Sequence, residues 1–475
     1  MNSGWRTSGG RIRIIPTPEK TLTAGALILA LVASTFAQQL PFSKAGTGQP
    51  PAPPTAATPA PPTEENAVEK FLDGKIPDAL AKGKFDLNVR LRLEYADENG
   101  VKSVTSASYA PTVRTRFGYT TAPLYGFQAM VQSQNTSVIG SEGNYNEAGS
   151  NGKAYKPVIP DPPVTDLDQA WLGYAYTNIF NLKGGRQRLD LDNQRFISAV
   201  DWRQNLQTFD AATAHVQPVD HLDLTYSYLW DVHRVYGNVS GLPAADGDYH
   251  SDSHLVNISC SGWDYGRFVG YAYLLGLNNA AGANNSCATY GGYFAGYAPV
   301  NDKLSLDYRT EFAWQENYGD SKLQYSADYV NLEMGANYQP FAAGAGWEDL
   351  GSGLNTGPAG GRVAFRTPLA THVFDGWAGM FIVAPANGLH DLYGYAQVTL
   401  PAQIPLRFVY HKFDADSGSG DYGQEFDFLA TKNFGKYWRV LLKYAYYQGV
   451  NAAPPVITAP HVDLQHLWAQ AEFNF

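Results

Sequence analysis

The sequence is short of cysteine, of methionine and of long apolar runs. Cys260 and Cys287 are the only cysteines among 475 residues. Two thiols so far apart make neither a redox CxxC nor, alone, a zinc site, and an even pair leaves a disulfide open. An exported chain that avoids free thiols has such a count. Nothing beyond the N-terminal segment offers the roughly twenty consecutive apolar residues of a transmembrane helix, so a membrane passage would have to be made by strands. Positive charge is also scarce, with 34 Lys and Arg against 44 Asp and Glu. That balance argues against nucleic acid as a partner. Gly-x-Ser-x-Gly, HExxH and a phosphate-binding glycine loop are all missing, although His215, His221, His254, His372, His390, His411, His461 and His466 are available as bases. The expectation is therefore no enzyme, no cofactor and no metal. Paired acids for glycoside cleavage would look the same as any acids lining a pore.

What is present is aromatic. Phe, Trp and Tyr make up 13% of the chain, with 31 Tyr and 10 Trp. Such a surplus suits two interfacial girdles around a membrane barrel. Arg6, Arg11, Arg13 and Lys20 precede a short apolar run, Thr21 to Val32, and the small residues Ala33 to Ala37, the three-part pattern of a cleaved secretory signal over residues 1–37. Its removal leaves 30 basic and 43 acidic residues, net −13. Residues 38–83 are a linker and a short pre-barrel segment. The Pro, Ala, Thr and Gly tract at 45–63 cannot bury a core and reads as an extended spacer, the alternative being a contact with cell-wall polymer.

From Phe85 the chain alternates. Phe85, Leu87, Val89, Leu91, Leu93 and Tyr95 interleave with Asp86, Asn88, Arg90, Arg92 and Glu94, which puts apolar side chains on one face of a strand and charges on the other. The pattern recurs at Leu304–Trp314, Leu222–Trp230 and Trp438–Tyr446, in segments long enough for a tilted bilayer crossing. A soluble sandwich would bury the same faces. The last strand favours the membrane: Leu467, Ala469, Ala471, Phe473 and Phe475 alternate with polar residues, like the terminal strand read by the outer-membrane assembly machinery. Short connections alternate with long ones, as periplasmic turns and extracellular loops do. The predicted fold is all-β, a transmembrane antiparallel up-and-down barrel of about eighteen strands over 84–475, in the outer membrane and in contact with its lipid. An even strand count assigns 351–390 to one long loop, although Ala364 to Pro368 looks strand-like.

The polar faces define a lumen. Arg90, Arg92, Arg114, Arg116, Arg186, Arg188, Arg309, Arg407, Arg439 and Lys443 share the inward parity. Arginine forks pair with carboxylates, so a basic ladder is suited to passing an anion from site to site. Glu94, Asp190, Asp192, Asp307, Glu311, Glu425 and Asp427 share that parity, and pairing within the wall is the alternative, above all for Arg309 between Asp307 and Glu311. Arg195, Asp201, Arg203 and Asp210 in or beside the fifth-to-sixth connection, and Arg366, His372, Asp375, Trp377 and Asp391 in or at the end of the long loop, would set a constriction if those segments fold inward; an external packed loop is the alternative. The loop acids Asp246, Asp248, Asp252, Asp414, Asp416 and Asp421 lack the ligand order of a calcium loop and read as solvated.

Phe365–Trp377 with Ala384–Tyr393, and Gly184–Phe196 with Asp201–Asp210, resemble the long motifs of the alginate-export family of outer-membrane porins. Tyr410–Phe413, Gly423–Asp427 and Lys443–Tyr446 add to the resemblance, which runs from about 84 to 475. Gly379 departs from the pattern, standing where such proteins commonly carry an acid after Gly-Trp-Ala. The resemblance implies an eighteen-stranded barrel through which an anionic polysaccharide or related anionic solute passes without energy input. A small-solute porin for sugars or carboxylates, and a non-conducting adhesin or structural barrel, are the competing expectations.

Overall fold

The computed structural model describes residues 75–140, 144–148, 151–237, 247–278, 285–370, 374–450 and 462–475. The predicted signal segment, the proline-rich tract, His372 and Asp246 lie outside the described residues. A short helix, α1 (Lys75–Ala81), precedes the first strand.

Alternation becomes strand wherever it is sustained. The first half of the barrel contains β1 (Lys84–Asn99), β2 (Ser108–Thr120), β3 (Phe127–Val138), β4 (Val164–Tyr176), β5 (Phe180–Gln187), β6 (Thr208–Val219), β7 (Leu222–His233), β8 (Asp248–Trp263) and β9 (Gly266–Leu275). The second half contains β10 (Cys287–Pro299), β11 (Leu304–Asn317), β12 (Ser326–Tyr338) and β13 (Phe341–Leu350). After a small hairpin, β14 (Ser352–Leu354) and β15 (Arg362–Ala364), come β16 (Leu389–Leu400), β17 (Ile404–Asp414), β18 (Asp421–Phe434), β19 (Trp438–Gln448) and β20 (Asp463–Asn474). Apart from the hairpin, every strand pairs antiparallel with its neighbours in sequence, and β1 pairs with both β2 and β20. The result is a closed ring of eighteen strands with no free edge.

The 351–390 segment is thus kept out of the ring as expected, except that Leu389 and His390 open β16, and it is not structureless. Its strand-like part, Arg362–Ala364, pairs with Ser352–Leu354 and not with the barrel. Barrel strands reach further than alternation alone indicated; β1 continues to Asn99, and β8 covers Asp248–Trp263.

Burial follows the two-residue period. In β1, Arg90, Arg92 and Glu94 are buried, whereas Leu91 and Leu93 are each 45% exposed. The outer surface carries Phe117, Leu172, Ile258, Phe312, Met334 and Leu442, all exposed. Such a belt is stable only when hydrocarbon replaces water around it. Exposed Phe85, Phe127, Tyr338, Phe341, Phe434 and Trp438 ring the end where the connections are short, the end at which Phe475 also lies. Cys260 is opposite the outward Phe268, while Cys287 is buried on the inner face beside Leu275. The wall separates them, and both are unbonded.

Candidate constriction and its arginines

The connection 188–207 between β5 and β6 folds into the barrel. At one side Arg203 Nη1 donates to Glu94 of β1 at 3.1 Å, and Gln204 Nε2 donates to Thr112 of β2 at 2.8 Å. At the other, Asp192 accepts from Tyr273 of β9 at 2.9 Å and from Tyr293 of β10 at 2.8 Å. Since β1 and β10 are nine steps apart in a ring of eighteen, this segment crosses the lumen. Phe196 is its apolar anchor, packed against Tyr271, Tyr273, Tyr329 and Phe365.

The long loop enters from the other half and joins it. Ser198 N donates to Leu369 O at 3.1 Å, and Gln207 Nε2 bonds the same carbonyl at 2.9 Å. Further on, Phe381 lies among Phe413, Tyr422 and Tyr447, and Ala378 N donates to Glu425 at 2.7 Å. Gly376, at φ +81°, makes that approach possible, because a Cβ there would stand 2.4 Å from a Glu425 oxygen. Gly379 is also left-handed, at φ +80°, a conformation that β-branched or bulky residues enter only with strain.

Arginines gather where the crossing loop meets β1 and β2. Asp201 lies 2.9 Å from Arg116, 3.1 Å from Arg114 and 3.7 Å from Arg90. Glu472 of β20 joins Arg90 at 3.1 Å and Arg114 at 3.2 Å. Burial alone would raise the Asp201 carboxyl, but Arg116, Arg90 and Arg114 together hold it well below the usual carboxylate range. The three guanidiniums are buried, whereas 54% of the Asp201 side chain is exposed. Arg92 is held by Gln470 and by the Trp202 carbonyl, with Glu94 and Asp161 near its outer nitrogen. Arg188 lies beyond the end of β5 and reaches Asp168 and Gln132.

Not every predicted site residue joins this cluster. Arg186 is on the opposite face: it pairs with Ala170 and Asp210, on the same side as the outward Leu172, while Gln187 is buried inside. Its partners are Asp210 and His233, so neither Arg186 nor Asp210 faces the lumen. Arg309 is bound to Glu311 at 2.6 Å and stacks on Tyr293. Lys443 is enclosed by the rings of Trp202, Trp377 and Trp468 at 3.9, 4.3 and 5.0 Å, a cation–π contact tying both inward loops to β19. Arg366 donates to Asn285 at the long-loop end.

Nearer the short-turn end the inner wall differs. Arg407 stacks on Tyr395 at 4.1 Å, Arg439 is exposed, and Arg267, which alternation also places inward, is exposed above Tyr293. None of these three has a carboxylate partner among the described residues. Arg267 opens the predicted ninth strand, so its parity was readable. Trp468 alternates with Leu467 and Ala469, so its parity was readable as well, whereas Trp202 lies in the crossing loop and carried no such signal.

Among the described residues three groups could accept a metal ion: Asp231, His233 and Asp248; Asp349, His390 and Asp416; and the fully interior Glu348, Asp375 and Asp391. Of the loop acids expected to be solvated, Asp416 accepts from Ser352 N and Asp421 pairs with Lys412.

Comparison with known proteins fits this geometry. A model of the family described as alginate export matches residues 82–228, which hold β1 to most of β7 and the crossing loop. The fold is that of an outer-membrane porin. Among solved structures, Pseudomonas aeruginosa OccK9 (OpdG) aligns with the chain at TM-score 0.63 and 12% identity, covering 84% of this chain and 100% of that one. Acinetobacter baumannii OccAB2 also aligns at TM-score 0.63 and 12% identity, with 84% and 99% coverage. Pseudomonas aeruginosa OpdK, solved with vanillate, gives TM-score 0.60 at 11% identity, with 83% and 99% coverage. No curated protein matches the sequence. The matched stretch includes the arginine cluster but ends before the long loop.

Proposed function

We propose that this porin is a passive, anion-selective channel for an anionic polysaccharide of the alginate type, with its long-loop end outside the cell and its short-turn end in the periplasm. The observation that carries the reading is a set of inward cations with no carboxylate partner among the described residues, Arg267, Arg407 and Arg439. A solute carboxylate can pair with such groups in passing, weakly and repeatedly, as conduction requires. The family match over residues 82–228 supports the polysaccharide cargo.

A second reading, a porin for small carboxylates, is favoured by the two loops that bond to each other across the lumen. OpdK, of similar fold, is solved with vanillate. Planar-bilayer recording on refolded protein separates these readings. Anion-selective steps blocked by uronate oligomers support the first; steps blocked only by monomeric carboxylates support the second. Cation selectivity sinks both, and folded protein without conductance favours a surface or structural role.

A further inference from the structure

Negative charge in the interior collects where the long loop meets the wall. Glu348 of β13, Asp375 of the loop and Asp391 of β16 are 3%, 4% and 1% exposed. Each offers an oxygen within 4.8 Å of the others. Arg195 reaches Glu348 Oε1 at 2.6 Å and Asp375 Oδ2 at 2.9 Å, and the Tyr329 hydroxyl donates to the same Glu348 oxygen at 2.6 Å. Asp375 Oδ1 remains buried with no hydrogen-bond partner. His411 Nδ1 sits 2.8 Å from Asp391 Oδ2, and its Nε2 is 3.6 Å from Asp427 Oδ2. Glu425 and Asp427 complete five buried carboxylates, for which the neighbouring cationic groups are Arg195, His411 and Lys443. Unpaired charge in so dry a place is expensive, and an added cation would relieve it.

The donor set selects the ion. Calcium takes several oxygen ligands at once in a flexible geometry, carboxylates among them. Magnesium demands near-octahedral order, keeps several waters and is held through one or two carboxylates. Three carboxylates converging in so dry an interior therefore suit calcium better than magnesium, and the lack of nitrogen or sulfur donors in the group disfavours zinc.

We propose that Glu348, Asp375 and Asp391 bind one calcium ion, which fastens the long loop at Asp375 to the barrel wall. The site does not depend on which solute the channel carries. Full-length protein refolded in detergent without lipopolysaccharide is titrated with Tb³⁺, excited through Tyr329 and nearby aromatics, and then with Ca²⁺ and Mg²⁺. The expected result is one Tb³⁺ site per chain, displaced by Ca²⁺ at or below about 1 mM and far more weakly by Mg²⁺. Asp375→Asn should weaken it at least about tenfold, as loss of a charged ligand does. Glu348→Gln provides the same test should that variant misfold. Absence of a site in the unaltered protein overturns the proposal and leaves the carboxylates sharing protons instead. So does binding that survives Asp375→Asn, or that is lost in Asp349→Asn, which would place the ion in the Asp349, His390 and Asp416 group.

Discussion

The arginines around Asp201 and those near the short-turn end lie on the same inner wall and differ in what stands beside them. Arg90, Arg114 and Arg116 are buried against Asp201 and Glu472. Arg407 rests on a tyrosine ring, and Arg439 is exposed. The first set spends its charge on anchoring the crossing loop. The second leaves its charge available to a passing ion. Inward parity is thus necessary for a selectivity role and does not confer one.

The largest expected effect is on stability. Glu472→Leu leaves two buried guanidiniums short of a partner, and breaking a buried pair costs roughly 3–5 kcal/mol. Arg407→Leu, with only a ring contact to lose, should cost about 1 kcal/mol or less. Denaturant unfolding in micelles, followed by tryptophan fluorescence, measures both. Equal costs would erase the comparison.

Ion selectivity gives the next largest contrast. Asp201→Asn removes the carboxylate that masks three arginines, so the reversal potential in a salt gradient should move toward stronger anion selectivity. Arg407→Glu should move it the other way. If Asp201→Asn is silent, the arginine cluster is sealed from the ion path.

Acid should sharpen the same point. The folded Asp201 carboxyl is held below its ordinary value of about 3.9, so the loop contact it makes is fully present above that pH and is lost only as pH falls toward the depressed folded value. The selectivity difference between the native chain and Asp201→Asn should therefore stay constant from pH 7 to about 4 and close only below it. Closure near pH 5 to 6 would mean that the three arginines do not act on Asp201 as their distances imply.

The smallest effect belongs to Lys443. Lys443→Met keeps the bulk inside the cage of Trp202, Trp377 and Trp468 and removes the cation–π attraction, worth about 0.5–2 kcal/mol. A small loss of stability with noisier open-channel current is expected in bilayer recordings. Unchanged current noise would mean that the inward loops are held without it.

Where alternation was long, the faces were legible: Arg90, Arg92, Arg309 and Lys443 fall inside as their parity predicts, because side chains in a strand must alternate. Arg186 was misplaced for a definite reason. The apparent alternation of Arg186, Arg188, Asp190 and Asp192 runs past Gln187, where β5 ends, and the later residues belong to the crossing loop. Glu348 and Asp349 are adjacent in β13, and nothing local showed which of them turned inward. Asp201 was singled out, but its pairing with Arg90, Arg114 and Arg116 was not, and Trp202 and Asp161 were hidden, because the groups they meet lie far along the chain.

The sequence by itself determined the strands, the lipid-facing belt, the count of eighteen and the exclusion of 351–388 from the ring, since these follow from a two-residue period and the need to close every strand edge. Only the tertiary structure decided that two connections fold inward and which arginines they neutralise. Those outcomes rest on contacts such as Arg203 with Glu94 and Arg195 with Asp375, between segments more than a hundred residues apart, where no local period records the partner.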